Sequence, residues 1–159
     1  MTTVFLDSGV FVEGMVAPWS AARALLILGA YRVILSETSE VVLVEVTRAL
    51  ERKGIPTNER SDFARLLRKL SLTVHARPSE EDVRQGLAKF LPLLHHRADV
   101  PVLVAAIAAA PDWLVSSNPD HFTPRVAKAC GLRIVTPAQL MRYLGVSDVS
   151  QRTGGSSAC

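Results

Sequence analysis

Residues 2–11 read TTVFLDSGVF. An apolar run, Val4-Phe5-Leu6, stops on Asp7, and the chain then turns small and polar before Val10 and Phe11. The run reads as a short buried strand closed by a single carboxylate. A terminal Asp is ordinary turn chemistry when it stands alone. It becomes a candidate ligand only if other acids meet it in space.

Working outward, the pattern alternates between short apolar runs and helical periodicities. A helix is expected over residues 19–29, with Gly29 as its stop, then a strand over 31–35. Ser36 reads as the N-cap of a long helix that Gly54 and Pro56 close. Thr57 reads as the cap of a helix to about Leu70, which carries Phe63, Leu66, Leu67 and Leu70 at helical spacing. A short strand at 72–75 follows. Ser79 with Asp82 then opens a helix towards Leu94, and an Ala-rich helix covers 99–110. DWLVSS and GLRIVT read as the last strands, and Thr136-Pro137 starts a closing helix that ends near Leu144. Such alternation predicts an α/β domain with parallel strands covered on both faces by helices. One domain is expected over residues 1–145, with a flexible polar tail over 146–159.

In open parallel sheets ligands gather beyond the carboxyl ends of the strands. Asp7 belongs to that edge, as do Asn118 and Asp120 in SSNPDHF, just after the strand WLV. Asp99 stands at the start of the preceding helix. Glu45 interrupts VVLVEV, where a carboxylate among aliphatic neighbours is costly unless something cationic or hydrogen-bonding meets it. Each acid has a plain structural reading: Asp7 a turn, Asp99 an N-cap, Glu45 a partner for Arg48 one turn on, Asn118 and Asp120 a Pro119 turn. Taken together, hard oxygen ligands from distant segments with no cysteine among them suit Mg²⁺ or Mn²⁺. Such a cation activates water and offsets the charge that develops on a phosphodiester.

The order and setting of these residues resemble the PIN-domain nucleases over most of residues 3–144. VFLDSGVF resembles that family's opening strand with its first acid, and EVTRAL its glutamate-bearing helix. DVPVLVAAIAAAPDWLVSSN and GLRIVTPAQLMRYL resemble its later acid, Ala-rich helix and closing strand and helix. The resemblance implies a three-layer α/β/α domain with a central parallel sheet of four to five strands. It implies a Mg²⁺- or Mn²⁺-dependent endoribonuclease acting on single-stranded RNA. Asp7, Glu45 and Asp99 would be the catalytic, metal-binding acids. Asn118 departs from the acid many members carry there; it offers only a neutral carbonyl, with Asp120 nearby as a second weak ligand. Ser8 and Ser116 would support the shell by hydrogen bonds. Small stand-alone members of similar size are toxins of bacterial toxin–antitoxin pairs of the VapBC kind, which implies an antitoxin partner and a homodimer. The alternative is a PIN-like module, catalytically degraded at Asn118, that binds RNA or protein without cutting.

Composition fits these expectations. The chain has 159 residues, 48% hydrophobic and 21% charged, with a net charge of +3. The mildly basic balance, pI near 9.2, is compatible with a polyanionic partner. Arg48 and Arg97, close in sequence to the acids, are candidate RNA contacts, as are Arg52 and Lys53; Arg65, Arg68 and Lys69 read as a solvated helix face. Cys130 and Cys159 form neither a zinc pattern nor a disulfide framework, which favours a reducing cytoplasm. No signal peptide or membrane span is expected. His95 and His96 lack soft co-ligands for zinc. Ser8, Ser116 and Ser117 lack a nucleophile elbow. A dehalogenase-type phosphohydrolase would want an acid at Gly9, and a phospho-receiver a lysine at Pro137.

Overall fold

The structure is a computed structural model, and it describes residues 1–145. The polar tail expected over 146–159 lies outside the described residues. The elements run β1 Thr3–Leu6, α1 Ser8–Val16, α2 Ala21–Ala30, β2 Leu35–Ser39, α3 Glu40–Arg52, α4 Thr57–Lys69 and β3 Thr73–His75. Then come α5 Glu80–Phe90, α6 Asp99–Ala109, β4 Trp113–Val115, α7 Pro124–Cys130, β5 Ile134–Val135 and α8 Pro137–Tyr143. The five strands form one sheet in the order β3-β2-β1-β4-β5, every neighbouring pair parallel. Among the described residues no single helix is long and apolar enough to cross a membrane.

β1 is central, and its burial explains its composition. Val4, Phe5 and Leu6 are all fully buried because helices cover both faces. The connections reverse direction after β3, from the β1-β2-β3 side of the sheet to β4. With right-handed crossovers, that reversal moves the helices to the opposite face. Accordingly α5 packs on α6, while α2 packs on α1, α4 and α8.

Five local readings are corrected. Ser8–Val16 is a helix that the sequence pattern did not announce. Gly9, Gly14 and three valines make it a poor helix former in isolation. Its burial of Val10, Phe11 and Met15, and its Asp7 cap, override that propensity. The second strand begins at Leu35 rather than ending there, and Ser39, not Ser36, caps α3. Val33 is exposed, so the apolar run that suggested a strand lies largely in the turn before it. The polar LSETS takes the interior position because much of it is hydrogen-bonded: Thr38 donates to the Leu6 carbonyl (2.9 Å), Glu37 meets His75 (3.0 Å), and Ser39 caps. Thr57 is the first residue of α4, not its cap, and Pro56 precedes it without a capping side chain. The helix opened by Ser79 ends at Phe90 rather than near Leu94, ahead of Pro92. α7 was also unannounced.

The face carrying α5 and α6 depends on one close approach. A Cβ on Gly86 would lie 2.5 Å from Val104 Cγ2 and 3.1 Å from Val100 Cγ1. Both are stiff β-branched side chains and cannot swing away. Gly86→Ala gains up to about 1 kcal/mol of helix propensity. It loses roughly 1–3 kcal/mol to overpacking. The expected result is net destabilisation by about 1 kcal/mol in urea unfolding; a more stable variant would show that α5 can shift freely on α6.

Candidate active site

In an all-parallel sheet the helix that follows a strand starts at the strand's carboxyl edge, and so does the helix that leads back into the next strand. α1, α3 and α6 therefore all begin at one edge of the sheet. Asp7 caps α1, Glu45 lies in the second turn of α3, and Asp99 is the first residue of α6. Parallel topology is what brings three acids from distant segments to one place, and the positive ends of α1 and α6 favour negative charge there.

Asp7 is held most firmly. Its N–H donates to the Val115 carbonyl at 3.0 Å, which extends the β1–β4 ladder by one residue. Oδ1 accepts from the Ser8 N–H at 2.7 Å, and Oδ2 accepts from the Ser116 hydroxyl at 2.9 Å. Ser116 in turn accepts from the Asn118 N–H at 3.2 Å, so the β4–α7 loop is tied to the carboxylate through one hydroxyl. Asp7 is thus both a helix cap and a member of the acidic cluster. Only 8% of its surface is exposed. Burial pushes its carboxyl pKa up despite the two donors, and the nearby Asp99 charge adds to the rise.

Glu45 is half-buried, not enclosed by its aliphatic neighbours; Val44 beside it is exposed. Burial is the main cause of its raised pKa, opposed by a Ser8 side-chain hydrogen bond and reinforced by the charges of Asp7 and Asp99. Ser8 therefore bears on two acids: its N–H bonds to Asp7, and its hydroxyl lowers the Glu45 pKa. Asp99 does not cap α6; Ala98 stands at that position, without a side-chain bond. The Asp99 carboxylate meets His121 instead. Nδ1 lies 3.2 Å from Oδ1, with hydrogen-bond geometry, and 3.0 Å from Oδ2, without it. Oδ2 is buried with no hydrogen bond of its own.

His121 is the residue that sequence reasoning missed. It lies in the SSNPDHF loop that was read only for Asn118 and Asp120. His96, dismissed as a zinc ligand, lies against it with ring centroids 4.4 Å apart. No sequence signal joins His121 to Asp99, 22 residues apart; the loop after β4 does so by folding back over the start of α6. Asn118 and Asp120 are exposed, and the bonds of Asn118 to Ser116 are made by its backbone. A further pair ties the same edge together, the Ser117 hydroxyl donating to Glu13 of α1. Arg48 and Arg97 flank Glu45 in one cleft. Arg52, Lys53 and the Arg65 group do not line it.

The donor set is one a hard divalent cation would accept: carboxylate oxygens from three segments, two of them with raised pKa and one with an orphaned oxygen. Among the described residues, however, no three His, Cys, Asp or Glu side chains close around one point as they stand. Asp7 bonds through both oxygens, to Ser8 and Ser116, and Asp99 bonds through Oδ1 to His121, which leaves Asp99 Oδ2 alone.

The electrostatics set a direction for stability against pH. An acid whose folded pKa lies above its unfolded value stabilises the fold relatively below the ordinary carboxylate range of about 4. That stability is lost as pH rises through the folded pKa. Asp7→Asn keeps an acceptor for the Ser8 N–H and removes the buried charge. In EDTA at pH 7 its Tm is expected above that of wild type, the gap narrowing as pH falls towards 4. A variant less stable than wild type at both ends would mean that the carboxylate's hydrogen bonds outweigh its burial.

No family model and no curated protein matches the sequence. Solved structures do. VapBC2 from Rickettsia felis, bound to a DNA fragment from its promoter, matches at TM-score 0.63 and 15% identity, covering 85% of this chain and 98% of that one. PAE2754 from Pyrobaculum aerophilum matches at 0.60 and 14%, covering 92% and 91%. FitAcB from Neisseria gonorrhoeae matches at 0.55 and 11%, covering 85% and 98%. Identity this low speaks for the fold alone, and the fold of this chain is that of a PIN-like domain.

Proposed function

We propose that this protein is a metal-dependent endoribonuclease hydrolysing phosphodiester bonds of single-stranded RNA. The observation that carries the reading is the meeting of Asp7, Glu45 and Asp99 at the carboxyl edge of the sheet, with the Asp7 and Glu45 carboxyls pushed up chiefly by burial and further by the Asp99 charge. Asp7, Glu45 and Asp99 would hold Mg²⁺ or Mn²⁺, with Asn118 and Asp120 as weak outer ligands. Bound there, the cation would supply Lewis-acid stabilisation of the phosphodiester and a water of lowered pKa.

The chain's own residues do the rest. The Ser8 N–H and the Ser116 hydroxyl fix the orientation of the Asp7 carboxylate. His121 fixes Asp99 in the same way. Glu45, half-buried with a raised pKa, is suited to take a proton from an attacking water at its carboxylate. Arg48 and Arg97, in the cleft beside Glu45, would bind the backbone phosphates of the RNA.

Likeness in fold to the VapBC2 structure, with the resemblance seen in the sequence, supports a narrower reading. The protein would be a cytoplasmic toxin held by a small antitoxin and able to form a homodimer. A second reading has its own observation: the carboxylates do not close around one point, and Asn118 stands where an acid is expected. That reading is a PIN-like module that binds RNA or protein without cleaving.

A fluorogenic single-stranded RNA incubated with Mg²⁺, Mn²⁺ or EDTA decides between them. Cleavage is expected with either metal and not with EDTA. Asp7→Asn and Asp99→Asn are expected to lower it at least about a hundredfold with the fold intact, as loss of a principal catalytic group does. Glu45→Gln is expected to lower kcat more than it raises KM. A wild type silent in every metal yet binding the RNA would establish the non-cleaving module, and cleavage surviving in both Asp variants would place the chemistry elsewhere.

A further inference from the structure

The cleft beside Glu45 holds more than the two arginines that the sequence singled out. It opens between α3, the loop after β3, α5 and the start of α6, with a volume of about 630 Å³. That lies within the roughly 300–1,000 Å³ typical of ligand sites. Its apolar lining is aliphatic: Val41, Val44, Val83, Leu87 and Pro101. Four arginines line it: Arg48 from α3, Arg77 from the loop after β3, Arg84 from α5, and Arg97 two residues before Asp99. The acids that line it are Glu45 and Glu80, so four cations face two anions. Arg84 reaches Glu81, at 2.5 Å. Among the described residues Arg48, Arg77 and Arg97 enter no ion pair.

An aliphatic lining that also carries four guanidinium groups has a definite chemical complement: a flat, weakly polar ring flanked by phosphates. A nucleotide of a single strand has that shape. Its base can lie on aliphatic side chains and on guanidinium planes, while its phosphates meet the charges. A base-paired nucleotide cannot enter, because its ring is held in the stack. The cleft is also continuous with the acidic cluster, since Glu45 belongs to both.

We propose that this cleft is a nucleotide subsite of the site described above, receiving an unpaired base of single-stranded RNA beside the scissile phosphate, with Arg77 and Arg84 as its unassigned phosphate contacts. The proposal rests on the ribonuclease reading for the identity of the strand. It adds a requirement of its own: two arginines on the β3–α5 side must matter for RNA binding more than arginines elsewhere.

The test is fluorescence anisotropy with a labelled single-stranded RNA, in EDTA, across a salt series. Wild type is compared with Arg77→Gln/Arg84→Gln and with Arg68→Gln/Lys69→Gln, which removes the same charge from α4, outside the cleft. All four side chains are exposed, so folding is not at stake. The cleft variant is expected to bind about tenfold more weakly and to lose about 0.7 from the salt slope per phosphate contact. The α4 variant is expected to stay within about twofold of wild type. A duplex of the same sequence is expected to bind wild type much more weakly than the single strand. Equal losses in the two double variants, or no loss in the cleft variant, overturn the proposal and leave the cleft to a protein segment. Cleavage assays in Mn²⁺ separate this from the wider reading. Cleft-dependent binding without any cleavage keeps the subsite and drops the nuclease; cleavage whose KM ignores Arg77 and Arg84 keeps the nuclease and drops the subsite.

Discussion

The Asp7 carboxylate, buried at the end of the central strand, is the constraint around which the rest of the candidate site is arranged. Its backbone continues the ladder to Val115, and its side chain starts α1 through Ser8 and fastens the β4–α7 loop through Ser116. A buried carboxylate with only neutral donors is electrostatically unfinished. The raised pKa expresses that, and the other acids make it worse rather than better. A fold that keeps such a group in its most protected strand tolerates a standing cost, which falls when the carboxyl takes up a proton or meets a positive charge.

Topology explains why the cost is concentrated in one place. Parallel strands put the starts of α1, α3 and α6 at one edge, and the order β3-β2-β1-β4-β5 places β1 in the middle of it. Asp7 is therefore flanked by α3 on the side of β2 and by the Ser116 loop on the side of β4. The acids meet because of where strands end, not because of any nearness in sequence. His121 arrives by the same logic: the loop leaving β4 has to pass the beginning of α6, and it leaves an imidazole on Asp99.

The alternative readings of single residues turn out not to exclude one another. Asp7 is a helix cap and also faces the cluster; Ser116 holds Asp7 and also takes the Asn118 N–H. Dual use of this kind is cheap at strand ends, where one carboxylate has lone pairs to spare after satisfying a backbone N–H. Glu45 shows the opposite situation. Its aliphatic neighbours in sequence suggested enclosure, yet the helix turns several of them away from it, and the carboxylate stands in the wall of an arginine-rimmed cleft.

The amino-acid sequence by itself determined the class of the fold, the parallel sheet and the strand-end position of Asp7, because fully buried strands read as continuous apolar runs and helices carry caps and stops. It also determined the starts of α6 and α8, where Asp99 and Thr136-Pro137 are strong local signals. It misplaced β2 and passed over α1 and α7. In each, tertiary contacts outvote local preference: LSETS is polar but hydrogen-bonded inside the sheet, and α1 is rich in glycine and valine but packed on α2. The His121–Asp99 contact, the Ser116–Asp7 bond and the facing of Arg77 and Arg84 to Glu45 were decided by tertiary structure alone. Each depends on side chains that approach across 20 residues or more, and no local propensity encodes a distance of that kind.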